Sequence, residues 1–190
     1  ETNIIPIQPF EKPYIVYDLL GGSPADLLLP KNFLIVEGRS EMEFLTRIIA
    51  RHYLEKPYIQ IIPADGDISQ AQRSFNSIAQ VFKPLETSIY KDKVVIFVDK
   101  QSNITQRDTF LASHPSLQAN GQFYESTEAS IEEYYPGNWK KAADEVQKMS
   151  GDEKLKQAKY AGDNISKDDF EKQMPKLYEA LNRCWTLAFE

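Results

Sequence analysis

The feature that most constrains the fold is the stretch of residues 33–45, where a strand pattern passes directly into a helix pattern. Four apolar residues, Phe33–Val36, predict a strand of a parallel sheet that is buried on both faces. Glu37 and Gly38 end this run, and apolar residues then recur at helical spacing. Because ligands of open α/β sheets bind beyond the carboxyl ends of the strands, we expect Glu37 at the rim of a crevice. Glu41, in the first turn of the helix, is expected to face the same crevice.

Two other apolar runs predict further strands. Tyr58–Ile62 is the second strand in sequence order, and Val94–Val98 contains no polar residue, so we expect it near the centre of the sheet. Residues 122–124 form a weaker strand pattern. The predicted helices after the first are Ala71–Phe82 (closed by Lys83-Pro84), Ile104–Leu111, Trp139–Met149, Glu153–Tyr160 and Phe170–Ala188. Strands that alternate with helices and then give way to helices alone predict a three-layer α/β domain with a mainly parallel sheet and a C-terminal helical extension.

The domain organisation follows from proline content and pattern. Residues 1–32 contain several prolines and are predicted to be a connector, residues 33–136 the core, and residues 137–190 a helical extension of the same domain. The total of 190 residues fits one domain. The first residue is Glu1, so we expect a fragment of a longer chain.

Composition limits the class of protein. A hydrophobic content of 42% and a charged content of 26% are typical of a soluble globular protein. The net charge of -6 opposes a simple nucleic-acid coating module, which is normally basic, but leaves an enzyme that concentrates acids around a metal. No apolar run reaches the ~20 residues of a membrane span, and no signal peptide is apparent. With one cysteine, Cys184, expected to be a small buried hydrophobe, we predict a cytoplasmic protein without a membrane partner.

The candidate chemistry lies in acids that follow the predicted strands. Glu37 follows the first strand, Asp99 follows Val94–Val98, and residues 125–133 form a third acidic segment after the weak strand. Carboxylate oxygens are the ligands preferred by Mg²⁺ and Mn²⁺, whereas the two histidines are too far apart in sequence to favour zinc. Paired metals held by carboxylates stabilise the attacking and leaving oxygens of phosphodiester hydrolysis.

Each of these residues also has a purely structural interpretation. Glu37 and Asp99 can be solvated residues at strand ends, and Glu41 can serve only to balance the helix dipole. The same ambiguity applies to further candidates: Glu132, Lys154, the pair Lys140-Lys141 (phosphate contacts or solvated lysines) and the pair Tyr134-Tyr135 (a loop anchor).

The motifs resemble a known family. Val36-Glu37-Gly38-x-x-Glu41 followed by Val98-Asp99 is similar to the Toprim domain, the metal-binding fold shared by topoisomerases, primases and some nucleases. More narrowly, Leu27-Leu28-Leu29-Pro30 and Ile131-Glu132-Glu133-Tyr134-Tyr135-Pro136 resemble the OLD (overcoming lysogenization defect) family. There a Toprim nuclease domain follows an ATP-binding cassette-type ATPase, often in phage defence. The resemblance covers roughly residues 20–136 well and the helical tail loosely.

The resemblance implies a Toprim-like three-layer sandwich and a role for each matching residue. Glu37 would bind metal and serve acid/base chemistry, Glu41 would be the second acid of its motif, and Asp99 the first aspartate of the family's Asp-x-Asp. Glu132 would be a further metal ligand. The family also contributes a lysine from the helical tail, for which Lys154 is our choice.

One position departs from the family pattern. Gln101 stands where the second aspartate of Asp-x-Asp is expected, so a second metal should bind more weakly, with Ser102 as a substitute ligand. We therefore predict a Mg²⁺/Mn²⁺-dependent DNA endonuclease, joined to an ATPase domain in the full-length chain and with possible homo-oligomers. The alternative is a degenerate, non-catalytic Toprim module. A phosphoacceptor domain ranks third. Such folds place an adjacent acidic pair after the first strand, and Glu37-Gly38 does not provide one.

Overall fold

The sheet positions the candidate site. The computed structural model describes residues 32–64, 75–88, 90–100 and 104–189, and these lie in one compact unit, Lys31–Glu190. Four parallel strands, in the order β2-β1-β3-β4, form the sheet: β1 (Asn32–Val36), β2 (Ile59–Pro63), β3 (Val94–Val98) and β4 (Phe123–Glu125). The connection from β2 to β3 passes over β1, which places the topological switch point between β1 and β3. The predicted α/β class with a parallel sheet is confirmed.

Helices surround this sheet. In the described part of the chain they are α1 (Arg39–His52), α2 (Phe75–Glu86), α3 (Ile104–Ser113), α4 (Pro115–Ala119), α5 (Ile131–Tyr134), α6 (Ala143–Val146), α7 (Gly151–Asn164), α8 (Lys167–Gln173) and α9 (Pro175–Leu187). Two short 3₁₀ helices, η1 (Lys91–Lys93) and η2 (Gly137–Trp139), complete the set. None of the described helices combines the length and apolarity that a membrane span requires.

The sheet is covered on both faces because successive strand side chains point in opposite directions. Leu34 and Val36 of β1 pack in one cluster with the apolar residues of α1, α7, α8 and α9. Phe33 and Ile35 pack in a second cluster with α2, α3 and α4. The result is the predicted three-layer arrangement, and the helices after residue 137 form most of one layer. Cys184 of α9 is buried in that layer, as predicted.

Helix α1 packs most extensively against α7. At their closest approach, a Cβ atom on Gly162 would lie 2.9 Å from the Cβ of Arg47 and 3.0 Å from the carbonyl oxygen of Phe44. A glycine at this position therefore lets the two backbones approach. Arg51 links the carboxyl-terminal ends of α1 and α7. Its Nη1 donates hydrogen bonds to the carbonyl oxygens of Gly162 at 2.7 Å and Ile165 at 3.0 Å.

Three helix predictions were wrong in detail. The single helix predicted for Phe170–Ala188 is broken at Met174, because the residue before Pro175 is driven out of the helical region. Pro84 does not close α2, which continues to Glu86, although the proline lacks the N–H that would donate to the preceding turn. The helix predicted for Trp139–Met149 is reduced to α6.

Lys140 and Ala142 have extended backbone, and Lys141 between them bonds to α5. The backbone N–H of Lys141 donates to the carbonyl oxygen of Glu132 at 2.9 Å. The predicted connector lies outside the described residues except for Asn32, which begins β1. The first part of the helix predicted at Ala71 and the motif residues 27–30 also lie outside them.

Candidate functional site

The two acids that end strands lie side by side. Glu37 follows β1 and Asp99 follows β3, and these strands pair in parallel with Ile35 opposite Ile96. The backbone N–H of Asp99 donates a hydrogen bond to Oε1 of Glu37 at 3.2 Å. Both residues therefore lie at the switch point of the sheet, where the sequence pattern predicted a crevice.

Glu41 is brought to the same place by the start of α1. Gly38, the N-cap residue, has extended backbone and lets the chain turn from β1 into the helix. The side chain of Glu41 is only 4% exposed, and Ser40 Oγ lies 3.4 Å from its Oε2. A glutamate that only balanced the helix dipole would be solvated, so this burial requires another explanation.

Glu132 lies on the short helix α5, which follows β4 in the chain. It is 2% exposed, whereas its neighbour Glu133 accepts a hydrogen bond from Ser130 Oγ at 3.0 Å at the start of the same helix. Contacts on both sides fix α5. The ring of Tyr135 packs on Phe44 with 4.8 Å between centroids, and the Tyr134 hydroxyl oxygen accepts a hydrogen bond from the backbone N–H of Lys176 at 3.3 Å.

The charges of these acids act on one another. Burial raises the pKa of Asp99 well above its ordinary value of 3.8, and the carboxylates of Glu41, Glu37 and Glu132 raise it further. The ammonium group of Lys154 lowers the same pKa. Glu37, Glu41, Glu132 and Lys154, the other four site residues predicted from the sequence, thus all lie close enough to Asp99 to alter its ionisation.

Lys154 reaches this cluster from the first turn of α7. Ser150 caps the helix, since its Oγ accepts from the backbone N–H of Glu153 at 3.3 Å and the Glu153 carboxylate accepts from the Ser150 N–H at 2.7 Å. Lys154 itself is half-buried. The cap therefore fixes the start of the helix that carries Lys154, whose positive charge acts on Asp99.

Tyr135, which the sequence analysis interpreted only as a loop anchor, is a further member of the site. It is 1% exposed, and burial raises the pKa of its hydroxyl well above 10.0, with further increases from Glu132, Glu41 and Asp99. No hydrogen-bond partner for this hydroxyl is found among the described residues. The phenol is consequently neutral at physiological pH and can donate a hydrogen bond within an acidic cluster. Its spacing of three residues from Glu132 was the available signal.

The donor atoms of the cluster are all oxygens, which suits a hard divalent cation. In the ranges that the structure describes, however, no three Asp, Glu, His or Cys side chains form a ready metal-binding group. The carboxylates interact through their charges without being gathered around one point. Gln101 and Ser102, the departures from the Asp-x-Asp pattern, lie outside the described residues.

Comparison of the chain with protein-family models, with curated proteins and with solved structures gave no match. The likeness to Toprim domains and to the OLD family therefore depends on the motif residues quoted above.

Proposed function

We propose that this chain is a Mg²⁺- or Mn²⁺-dependent DNA endonuclease of the Toprim type, similar to the nuclease domain of OLD-family ATP-dependent nucleases. The observation that carries the proposal is the burial of Glu41 and Glu132 next to Asp99 at the switch point of a parallel sheet. Burying like charges together lowers stability unless something compensates them. Such an arrangement is typical of sites retained for binding or catalysis.

The donor chemistry of the cluster, rather than the present spacing of its side chains, suits a divalent cation. Four carboxylates, Glu37, Glu41, Asp99 and Glu132, would hold it, because carboxylate oxygens are its preferred ligands and because a cation would offset the burial and the carboxylate repulsion that raise the pKa of Asp99. A divalent cation bound there would supply Lewis-acid stabilisation of the phosphodiester undergoing hydrolysis.

The chain's own groups supply the remaining chemistry. The ammonium group of Lys154 would offset negative charge that develops on the phosphate. The neutral hydroxyl of Tyr135 would donate a hydrogen bond to a phosphate oxygen, because it stays protonated among the carboxylates. Glu37, half-buried at the rim, would accept and return a proton.

The same resemblance extends the proposal to the partners. DNA would be the substrate, an ATP-binding cassette-type ATPase domain would belong to the same full-length chain, and the protein would act in the cytoplasm, in phage defence. Self-association into a homo-oligomer belongs to this proposal as well.

A second candidate is a non-catalytic module of the same fold. Two observations favour it: Gln101 replaces a metal-binding aspartate of the family pattern, and the carboxylates in the described ranges do not form a ready metal-binding group. An amide oxygen carries no net charge, so it holds a divalent cation more weakly than a carboxylate does.

The test is cleavage of supercoiled plasmid DNA with Mn²⁺, with Mg²⁺ and with EDTA. We expect metal-dependent nicking by the wild type and a loss of about 10²–10³-fold in Glu37→Ala and in Asp99→Ala, the scale of losing one electrostatic stabiliser. Glu133→Ala is the matched control. Glu133 is the neighbour of Glu132, but its carboxylate accepts a hydrogen bond from Ser130 Oγ. Cleavage that persists in both site variants would overturn the nuclease. Weak metal binding by calorimetry together with no nicking by the wild type would favour the non-catalytic module.

A further inference from the structure

A pocket formed by η2, Lys141 and α7 differs in charge from the carboxylate site. The η2–α7 pocket, about 430 Å³ in volume, is lined by Asn138, Trp139, Lys141, Lys156, Gln157 and Tyr160. Its volume falls within the ~300–1,000 Å³ range of ligand pockets. Its lining includes two lysines and no carboxylate, in a chain whose net charge is -6. The pocket therefore favours an anionic ligand.

Two hydrogen bonds hold the walls of the η2–α7 pocket in place without a ligand. Nε2 of Gln157 on α7 donates a hydrogen bond to the carbonyl oxygen of Trp139 at 2.6 Å, which attaches the η2 segment to the helix. The backbone N–H of Lys141 donates to the carbonyl oxygen of Glu132 at 2.9 Å, which attaches the same segment to α5. One wall is thus directly bonded to a residue of the carboxylate site.

Helix α7 connects the two sites a second time. Lys154, whose charge acts on Asp99, precedes Gln157 by three residues, and residues at this spacing are neighbours on a helix surface. Gln157 and Tyr160 have the same spacing. A ligand that follows this side of α7 would pass from the pocket to the carboxylates.

The side chains of the pocket suit a nucleotide. Tyr160 is 63% exposed and Trp139 is half-buried, so both present aromatic surface, while Lys141 and Lys156 supply ammonium groups for phosphate. Aromatic rings on which bases stack, combined with cations along the backbone, are the components of single-strand binding sites. A duplex, whose bases are stacked on each other, would leave the aromatic surfaces unused.

We propose that the η2–α7 pocket holds an unstacked base and its phosphate from a single-stranded DNA segment that leads into the carboxylate site. The direction of this segment and its identity as DNA rest on the proposed function, whereas binding of a single strand does not. The consequence is that unpaired or frayed DNA is the preferred substrate.

The test is fluorescence anisotropy of a labelled oligothymidine with the 190-residue chain in EDTA, so that cleavage plays no part. Lys156→Ala and Tyr160→Ala should each weaken binding about tenfold, the scale of losing one stacked base or one phosphate contact. Lys159→Ala, an equal change of charge on the same helix but outside the pocket, should bind like the wild type. Both pocket residues are exposed, so thermal unfolding should be unchanged.

The outcomes separate this proposal from the nuclease proposal. Wild-type affinity in both pocket variants, or no binding by the wild type, would overturn the pocket whether or not plasmid is cleaved. Competition by thymidine monophosphate as strong as competition by the oligonucleotide would overturn the assignment to a strand. Weakened binding in both variants with normal binding by Lys159→Ala would support the pocket even if no cleavage is found.

Discussion

The two ends of the α1–α7 helix pair differ in kind. At the carboxyl-terminal end, Gly162 allows close packing and Arg51 satisfies the last carbonyl groups of α7. At the amino-terminal end, Glu41 and Lys154 both act on the ionisation of Asp99 in a cluster where repulsion predominates. The same two helices therefore gain stability at one end and lose it at the other. We infer that the packed end of the helix pair holds the other, electrostatically strained end in position.

The largest effect is expected from Gly162→Ala at the packed end. The new Cβ would lie 2.9 Å from the Cβ of Arg47, which cannot move away as the tip of a side chain can, so overpacking should lower the free energy of unfolding by about 1–3 kcal/mol. Urea unfolding measures this change. Gly151→Ala, in the same helix with nothing within 4 Å of the new Cβ, should be neutral or slightly stabilising. Equal stability of the two variants would mean that α1 and α7 do not approach closely.

Asp99→Asn at the strained end should have the opposite sign. Because the folded protein raises the pKa of Asp99, folding favours the protonated form, and that contribution to stability is lost as pH rises from about 4 through the raised pKa. In EDTA at neutral pH the variant should be more stable than the wild type, on the order of 1 kcal/mol. The difference should shrink on acidification.

Urea unfolding at about pH 5 and about pH 7.5 checks this prediction. Asp168→Asn, which removes an acid whose exposed ion pair with Lys172 measures 3.6 Å, should change stability by less than about 0.5 kcal/mol at either pH. A stability difference between Asp99→Asn and the wild type that does not vary with pH would contradict the repulsion argument.

The smallest effect is expected from the two adjacent tyrosines. Tyr135→Phe removes a buried hydroxyl for which no partner is found in the described ranges, so stability should be unchanged or raised by up to about 1 kcal/mol, while plasmid nicking should fall. Tyr134→Phe removes the acceptor of the Lys176 N–H, so stability should fall by up to about 1 kcal/mol with nicking retained. Nicking assays with thermal unfolding compare the two. Full activity in Tyr135→Phe would remove its hydroxyl from the mechanism.

The sequence predicted the parts of the site that depend on local pattern. Glu37 and Asp99 follow apolar runs, and the parallel sheet brings the ends of neighbouring strands together, so their proximity could be inferred. Glu132 and Lys154 were named from family likeness. Tyr135 was not identified as a site residue because its burial depends on packing against Phe44, ninety-one residues earlier in the chain, which no local pattern encodes.

The same reason limits the prediction of the fold. Strand positions and direction followed from apolar runs, but which helices cover which face depends on contacts between distant segments. The break at Met174 was different in kind, since Pro175 was visible and its effect on the preceding residue is general. The close approach at Gly162 could be recognised only once α1 and α7 were seen together.

The helices after residue 137 form most of one layer, which has a consequence for shortening the molecule. A fragment that stopped near residue 150 would uncover the face of β1 that carries Leu34 and Val36, and would also lack Lys154. Loss of solubility and loss of any catalytic activity would then coincide. Deletion mapping would therefore not separate the residues that perform chemistry from those that cover the apolar face of the sheet. Single substitutions would separate them.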